Sequence, residues 1–402
     1  MDAKMRMIHG FLGLIILAGA LQISRPVEAA STTIFDQQAL ERWSGSFSTE
    51  AARVDVVAVV LGLENPWGMS FLPDGTILVT ERPGRLRLAR NAELGPPIAG
   101  VPEVYNVGQG GLLDVALDPG FSDNRLIYLS FADPGKGGAG TAVMRARFTQ
   151  DGLTGQLDQQ EVIFRQNIKT TNNRQFGSRL TFAPDGTLFV TIGDRGEDDR
   201  AQDKRDHAGS VVRIWPDGSI PQDNPFLDDP DALPELWSIG HRNQQGAAID
   251  PQTGRYWTVE HGARGGDELN RPEAGKNYGW PEISYGRHYS GRRIGRGTSA
   301  EGLEQPVYYW DPSIAPSGLA FYGQSGIDSW NGNAFVGALK DKLIARLEID
   351  LSGPVAKVIN EEQWDMSRWG RIRDVDVDAD GNIWFLTDEQ NGGLFRIVPR
   401  SQ

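Results

Sequence analysis

The chain of 402 residues contains no cysteine, which excludes disulfide bonds, thiolate metal sites and cysteine nucleophiles. Positive charge is also scarce, because 40 lysines and arginines stand against 53 acidic residues and give a formal net charge of −13. Such a chain repels polyanions, so neither nucleic acid nor an anionic membrane surface is an expected partner. The 49 glycines and 23 prolines indicate many turns and few long helices.

The first 29 residues have the pattern of an export signal. Lys4 and Arg6 precede an apolar stretch from Phe11 to Leu21, and small residues ending at Ala29 suit signal peptidase. The apolar run is only about half of the roughly 20 residues that a membrane-spanning helix needs. We therefore predict a signal peptide over residues 1–29, no membrane span after its removal, and a mature protein in the bacterial periplasm.

An apolar strand, a turn rich in Asp and Gly, and a second apolar strand recur six times along the chain. The copies begin at Trp67, Gly111, Gly177, Gln245, Ser317 and Ile372. Asp and Gly supply the turn dihedrals, so each copy predicts an antiparallel hairpin. Radial repetition of such hairpins predicts an all-β, six-bladed β-propeller. A pair of β-sandwiches is the alternative, and the irregular spacing argues against a solenoid.

The repeats lie in one uninterrupted stretch. We predict an N-terminal extension over residues 30–50 and a single propeller domain over residues 51–402, because no linker or change of composition follows residue 50. The apolar strand at 52–61 and the segment at 393–398 are expected to share a blade, which would close the ring and cover two sheet edges. In such a ring, loops at the mouth of the axial channel carry the functional groups.

Four loop segments combine glycine with amide or cationic side chains, which stand out on an acidic chain. They are residues 108–111, 240–243, 337–340 and 371–374. Arg371 and Arg373 are two positions apart and would point to the same side of an extended strand. Together with Lys340 and Arg242 they could line a basic pocket for an anion with several carboxylates. Ordinary ion-paired surface residues are the alternative.

The acidic, glycine-rich segment at 260–268 offers carboxylates and main-chain carbonyls, which Ca²⁺ prefers, although EF-hand spacing is absent. The histidines after residue 29 form no HExxH zinc motif. The chain also lacks the GxSxG nucleophile elbow and the GxxxxGK[ST] phosphate loop. The usual serine hydrolases and nucleotide-driven enzymes are therefore excluded.

Six phrases of the sequence resemble a known family when they are taken together and in order. They are GQGGLLDVALDP, GHRNQQG, EHGARGGDELN, GKNYGWP, GALKDK and RIRDV. The chain resembles the soluble sugar dehydrogenases that depend on pyrroloquinoline quinone (PQQ), the glucose/sorbosone dehydrogenase family, from Pro66 nearly to its end. The resemblance implies PQQ- and Ca²⁺-dependent oxidation of aldose sugars at C1 to lactones, by hydride transfer to the quinone. It also implies an external electron acceptor and a monomer or homodimer.

The same resemblance implies roles for individual residues. The positions that hold the quinone, its carboxylates and the edge of the substrate are matched by Gln109, Arg242, Asn243, Lys340, Arg371 and Arg373. Arg373 is further expected to stabilise the reduced quinone oxygen. Gly262 and Ala263 match positions whose carbonyls bind the catalytic Ca²⁺, although the family usually has Pro where this chain has Ala263. Glu268 and the carbonyl of Tyr278 match a second, structural calcium site.

One catalytic position departs from the family pattern. Gln175, within the segment NNRQFGSRL, stands where the resemblance implies the histidine that removes the proton of the sugar hydroxyl. Imidazole accepts a proton near neutral pH and an amide does not, and loss of a general base costs about 10²–10⁴ in rate. Three explanations stay open: another group takes the proton, turnover is slow, or the propeller only binds PQQ, sugar or a protein partner. A calcium-dependent lactone hydrolase on a similar propeller is a further alternative.

Overall fold

The computed structural model describes residues 31–323 and 326–400. The predicted signal peptide lies outside the described residues, so it stays a prediction. Within the described ranges, no helix has both the length and the apolar character needed to cross a lipid bilayer. These residues fold into six antiparallel sheets of four or five strands.

The first three sheets are built from the N-terminal half of the chain. The strands of this half are β1 (Thr33–Ile34), β2 (Gly45–Ser48), β3 (Arg53–Leu63), β4 (Pro66–Phe71), β5 (Ile77–Glu81), β6 (Arg85–Arg90), β7 (Glu93–Leu94), β8 (Leu112–Leu117), β9 (Leu126–Gly135), β10 (Gly138–Asp151), β11 (Thr154–Arg165), β12 (Gly177–Phe182), β13 (Leu188–Ile192), β14 (Ser210–Ile214) and β15 (Leu236–Ile239). Of these, β2 and β3 belong to a sheet that is completed by strands from the end of the chain. Two short helices accompany them, α1 (Gln37–Trp43) and α2 (Phe121–Asn124).

The remaining sheets are built from the C-terminal half. Their strands are β16 (Gln244–Ile249), β17 (Tyr256–Glu260), β18 (Asp267–Asn270), β19 (Tyr308–Trp310), β20 (Pro316–Phe321), β21 (Ala334–Ala338), β22 (Leu343–Asp350), β23 (Lys357–Asp365), β24 (Ile372–Val377), β25 (Ile383–Thr387) and β26 (Gly392–Pro399). Single 3₁₀ turns lie at Asp198–Gln202 and Asp328–Trp330.

Each of the six repeated hairpins forms the two inner strands of one sheet. The innermost strands are β4, β8, β12, β16, β20 and β24. Every innermost strand contacts the next one along the chain, and β24 returns to contact β4, so the six sheets form a closed ring. The predicted six-bladed β-propeller is therefore confirmed.

The ends of the propeller share one blade, as predicted. Strand β26 pairs with β3 in the sheet that also holds β24 and β25. Within the stretch predicted to be an N-terminal extension, β2 adds an outer strand to this sheet and β1 adds one to the sheet of β4 to β7. Two blades thus gain a fifth strand from residues that precede the repeats.

Apolar side chains from the inner hairpins fill the space between neighbouring blades. Phe335 on β21 packs with Phe385 on β25 and with Trp364, and Leu78 on β5 packs with Leu129 on β9. These side chains are almost fully buried, and each contributes about 1.5–3 kcal/mol relative to exposure. Because every blade is packed on two neighbours, the loops at the ends of the inner strands are held by a rigid ring.

Candidate active site

One end of the axial channel collects residues from all six blades. The starts of the innermost strands, or the residues just before them, supply the inner part of this site: Trp67, Gln109, Gly177, Asn243, Gln245, Ala315, Arg371 and Arg373. The Asp- and Gly-containing hairpin turns follow the opposite ends of the same strands. The hairpin turns therefore lie at one end of the ring, and the site lies at the other, which we call the site-bearing end.

Two contiguous cavities occupy the site-bearing end. The outer cavity has a volume of about 1040 Å³, and the inner one, about 270 Å³, shares Gln109, Asn243, His261 and Ala315 with it. The predicted residues that line the outer cavity are Gln109, Gln175, Arg242, Asn243, Gly262, Ala263 and Lys340. Arg371 and Arg373 line the inner one. The four predicted cations therefore meet at one end of the channel.

The two arginines at the start of β24 are held by one carboxylate. Arg373 is buried and donates from Nη1 to Gln245 Oε1 and from Nη2 to Asp388 Oδ2, both at 2.8 Å. Arg371 Nη2 lies 3.5 Å from the same Asp388 oxygen. Burial alone would raise the pKa of Asp388, but Arg373 and its neighbouring cations outweigh burial and lower that pKa to about 2. Asp388 is therefore ionised at neutral pH and fixes both guanidinium groups.

Several buried polar atoms around the cavities have no partner within the described structure. The Nε–H groups of Arg82, Arg242 and Arg373 and the Oδ1 atom of Asp388 are all unpaired. A buried unpaired polar group costs about 1–3 kcal/mol, so each such group beside a cavity is a candidate to bind a ligand atom. Three unpaired guanidinium donors match the chemistry of an anion with several oxygen acceptors.

Lys340 lies at the rim of the outer cavity with its side chain 55% exposed. Its Nζ donates to the carbonyl oxygen of Ser313 at 2.6 Å and to Asp341 Oδ1 at 2.9 Å. The ammonium group is therefore only partly neutralised and faces the same space as Arg242.

The carbonyls predicted to bind the first calcium ion line the outer cavity beside a guanidinium group. Arg242 Nη1 donates to the carbonyl oxygens of Gly262 and His261, the latter at 3.1 Å. The Gly262 N–H donates to Asp267 Oδ1 at 2.8 Å, which fixes the bend. A cation at the Gly262 carbonyl would therefore have to displace Arg242, which would free that guanidinium for another acceptor.

Glu268 and Tyr278 lie outside both cavities, in a buried polar cluster. Glu268 faces Glu260 across strands β17 and β18, and Asn270 Nδ2 donates to both carboxylates at 2.8 and 3.0 Å. Burial, with the nearby charge of Glu260, raises the pKa of Glu268 to about 8. Tyr278 stacks on the ring of His241, whose Nδ1 lies 2.9 Å from Glu260. In the described residues, no group of three or more histidine or acidic side chains is arranged to hold a metal ion.

Gln175 faces the outer cavity from the loop before β12. Its backbone has a φ of +56°, and its N–H donates to Gln109 Oε1 at 2.7 Å. The residue is 6% exposed, and its side-chain amide makes no hydrogen bond to the described part of the chain. A Cβ on Gly196 would lie 3.0 Å from Gln175 Oε1, so the glycine leaves room for this side chain.

Three ionisable residues of the inner cavity were missed by reasoning from sequence. Arg82 and Asp388 directly follow inner strands β5 and β25, and His261 follows β17, so all three reach the same end of the ring. His261 Nε2 lies 2.8 Å from the carbonyl oxygen of Pro316 and donates to it. Burial and the adjacent Arg242 and Arg373 lower the pKa of His261 to about 3, so it is neutral. A charged or imidazole residue just after an inner strand is the signal that could have found them.

Comparisons with known proteins are consistent across sequence and structure. The family model described as glucose/sorbosone dehydrogenase matches residues 63–396. Aldose sugar dehydrogenase YliI from Escherichia coli (strain K12) is 41% identical over 355 residues, covering 87% of this chain and 94% of the relative. A crystal structure of a glucose dehydrogenase has a TM-score of 0.81 at 46% identity, covering 86% of this chain and 99% of that one. The PQQ-bound form of an aldose sugar dehydrogenase from Streptomyces coelicolor has a TM-score of 0.71 at 26% identity, covering 88% and 98%.

Proposed function

Because the chain belongs to the glucose/sorbosone dehydrogenase family, we propose that it is a PQQ- and Ca²⁺-dependent oxidoreductase that oxidises an aldose at C1 to a lactone. The observation that carries the proposal is the set of cations around the channel mouth. Lys340, Arg242, Arg371 and Arg373 line two contiguous cavities on an otherwise acidic chain. A relative that binds PQQ supports the choice of cofactor.

The donor set fits a tricarboxylate quinone. When bound, PQQ supplies the acceptor for the hydride of the sugar, and Ca²⁺ beside it polarises the quinone oxygens. Lys340, Arg242 and Arg371 would hold the carboxylates, and the amides of Asn243 and Gln109 would add neutral donors. The buried, unpaired Nε–H groups of Arg82, Arg242 and Arg373 are the donors that such an acceptor would satisfy.

Arg373 is suited to stabilise negative charge that develops on the cofactor. The guanidinium group is buried and is fixed by Asp388 and Gln245 before any ligand arrives. A preoriented cation in a water-poor site costs no reorganisation when charge develops. Asp388 is therefore a positioning residue for Arg373 in this proposal.

Calcium would use main-chain oxygens at the outer cavity. The carbonyls of Gly262 and Ala263 are hard ligands of the kind that Ca²⁺ binds, and Arg242 would leave the Gly262 carbonyl and turn to an anion. For the second ion we propose Glu268 with the Tyr278 carbonyl, because a cation would offset the repulsion between the partly buried Glu268 and the buried Glu260.

Gln175 would orient the sugar hydroxyl or a water molecule without removing its proton. The amide both donates and accepts, and it faces the outer cavity with no competing partner. Because an amide is not a base near neutral pH, this position predicts slow turnover. The same observation favours a second candidate, a catalytically inactive propeller that binds PQQ, sugar or a protein partner.

The remaining features of the proposal follow the family. We propose export through a signal peptide at 1–29, a propeller domain over 51–402 with a short extension at 30–50, and work in the periplasm as a monomer or homodimer. The substrate is a small aldose and the electrons leave to an external acceptor.

A quinone titration tests the cofactor proposal directly. The purified protein is titrated with PQQ in the presence of Ca²⁺, and binding is followed by quinone absorbance. Saturable binding is expected, with at least tenfold weaker binding in Arg371→Gln and no change in Arg147→Gln, an exposed and unpaired arginine far from the site. Dye reduction with several aldoses then measures turnover. Absence of saturable PQQ binding would exclude both the enzyme and the PQQ-binding alternative.

A further inference from the structure

The two cavities carry more positive charge than the proposed cofactor needs. Their lining cations are Arg82, Arg174, Arg242, Arg264, Arg287, Lys340, Arg371 and Arg373. The lining acids are Asp198, Asp311 and Asp388, and Lys340 is also paired with Asp341 outside the cavity. Eight positive and four negative side chains leave four positive charges. A tricarboxylate and a Ca²⁺ ion together bring one negative charge, so these groups keep a net charge of +3.

Two of the lining cations, Arg264 and Arg287, lie together on one side of the mouth. Arg264 and Arg287 exchange backbone hydrogen bonds, with the Arg264 N–H donating at 2.9 Å and the Arg287 N–H donating at 3.1 Å. The His288 N–H donates to the carbonyl of Arg292 at 2.9 Å and closes a tight turn. Arg287 also bridges to Arg293. We name these four arginines, Arg264, Arg287, Arg292 and Arg293, the basic rim.

The basic rim has no acidic partner within the described residues. All four side chains are exposed, and none forms an ion pair, although the chain as a whole is acidic. Four like charges held together by backbone hydrogen bonds repel one another and draw anions. Because Arg264 and Arg287 line the outer cavity together with Gln175 and Lys340, an anion held there is beside the proposed reaction site.

The outer cavity also has room and an aromatic surface for a sugar. Its volume, about 1040 Å³, lies at the upper end of the roughly 300–1,000 Å³ that one drug-sized ligand occupies. Tyr289, at the turn of the basic rim, lines the cavity with 75% of its surface exposed. An exposed aromatic face is apolar surface on which a sugar ring packs.

We infer that the preferred substrate is an anionic aldose, a sugar with a carboxylate or phosphate on the carbon farthest from C1. The acid group binds Arg264 and Arg287, and C1 faces the side of the cavity that holds Gln175. This inference rests on the proposed function, because it names the substrate class of the same site. An acidic protein that docks on the basic rim as electron acceptor is the competing use of these charges.

The affinity of the protein for sugars that cannot react measures its preference for a class of substrate without any contribution from turnover. Methyl glucoside, methyl glucuronide and methyl glucoside 6-phosphate have a blocked C1, and their affinities for the protein loaded with PQQ and Ca²⁺ are measured by calorimetry. At low salt we expect one or both acidic sugars to bind about tenfold more tightly than the neutral one, as charge-assisted hydrogen bonds to arginine predict. The two acidic sugars distinguish a carboxylate from a phosphate. The advantage should shrink as added salt shortens the screening length.

Matched variants test whether Arg264 and Arg287 cause the preference for acidic sugars. The double variant Arg264→Gln and Arg287→Gln should lose the preference for acidic sugars and keep its affinity for methyl glucoside. Arg147→Gln removes the same kind of exposed charge at another cavity and should keep the preference. Because backbone hydrogen bonds hold the basic rim, the double variant should unfold at the wild-type temperature.

Several results would overturn the inference. Equal affinity for neutral and acidic sugars, no detectable binding of either acidic sugar, or a preference that survives the double variant would each do so. A double variant that changes only the rate of reduction of an acidic acceptor protein would assign the basic rim to that partner. Failure of the proposed function looks different, because quinone absorbance in the same samples would then show no bound PQQ.

Discussion

Replacement of Gln175 by His should raise the rate of sugar oxidation, because it adds a general base to a site that otherwise contains the proposed binding groups. The backbone accepts the change, since the φ of +56° at Gln175 lies in a region where His is enriched among residues other than glycine. The glycine at 196 leaves space beside the side chain. The imidazole would then face the outer cavity as the amide does now.

The size of the gain in rate depends on how well neighbouring groups orient the new imidazole. A general base contributes about 10²–10⁴ in rate, or about 3–5 kcal/mol at 1.36 kcal/mol per factor of ten. The nearby buried carboxylate, Asp194, already accepts hydrogen bonds from Trp280 Nε1 and the Gly196 N–H, both at 2.8 Å. No hydrogen bond joins Asp194 to the side chain at 175 in the described residues, so this carboxylate does not orient an imidazole there. We therefore expect a gain near the lower limit, about 10² in kcat/KM.

Dye reduction measured against pH distinguishes a base from a general improvement of the site. In Gln175→His, kcat/KM should rise with pH as the imidazole loses its proton, at or below its usual pKa of about 6.5, and the wild type should lack this limb. Asn172→His, which adds an imidazole elsewhere on the same wall, serves as the control and should give no gain. If Gln175→His is folded and binds PQQ normally yet gains less than threefold, or if Asn172→His gains as much, the reasoning is wrong.

The other predictions concern the groups around the site. Asp388→Asn should destabilise the protein by about 2 kcal/mol at pH 7, because the pKa of Asp388 is lowered from 3.8 to about 2. This contribution to stability is present above pH ~4 and is lost as the pH falls towards 2. Chemical denaturation should show the free energies of unfolding of the two proteins converging in that range, and a constant difference would contradict the pKa. The same variant should bind PQQ more weakly, because Arg373 loses its fixed orientation, and unchanged binding would remove Asp388 from its positioning role. Gly262→Ala should lower the free energy of unfolding by about 1–3 kcal/mol, since its Cβ would lie 2.3 Å from the carbonyl oxygens of Gly265 and Gly266; a melting temperature equal to wild type would show that the bend adapts. Removal of Ca²⁺ by a chelator should lower the melting temperature of the wild type by more than that of Glu268→Gln, which keeps only the site at Gly262 and Ala263. Equal effects on both proteins would place structural calcium elsewhere.

Much of the fold could be predicted because its signals are local. A buried apolar run of strand length and a turn that needs Asp and Gly are both encoded within about a dozen residues, and β4 with β5 or β24 with β25 is a hairpin of neighbours in sequence. Because the same pattern recurs six times in the sequence, it predicts six hairpins. The shared blade of β3 and β26 followed from the need to cover two sheet edges.

The predicted cations could be placed near one another because Arg242, Arg371 and Arg373 precede or begin an innermost strand, and Lys340 follows the second strand of its hairpin, which finishes at the same end of the ring. Lys340, Arg242, Arg371 and Arg373 do meet at one end of the channel. What each of them touches could not be predicted in this way. The hydrogen bond from Arg242 to the Gly262 carbonyl, for example, depends on a side-chain rotamer and on the bend of the next loop.

The sequence by itself determined the number of hairpins, the closed ring and the end of the ring that carries chemistry, since periodicity, turn residues and the position of a loop relative to its strand are properties of short segments. Only the tertiary structure decided which charges share a partner. Asp388 joins Arg371 and Arg373 within one blade, but the hydrogen bond from Arg373 to Gln245 links two blades. His261 is likewise held neutral by Arg242 of its own blade and by Arg373 of another. The residues that meet across blades are far apart along the chain and reach hydrogen-bonding distance only when packing between all six blades closes the ring.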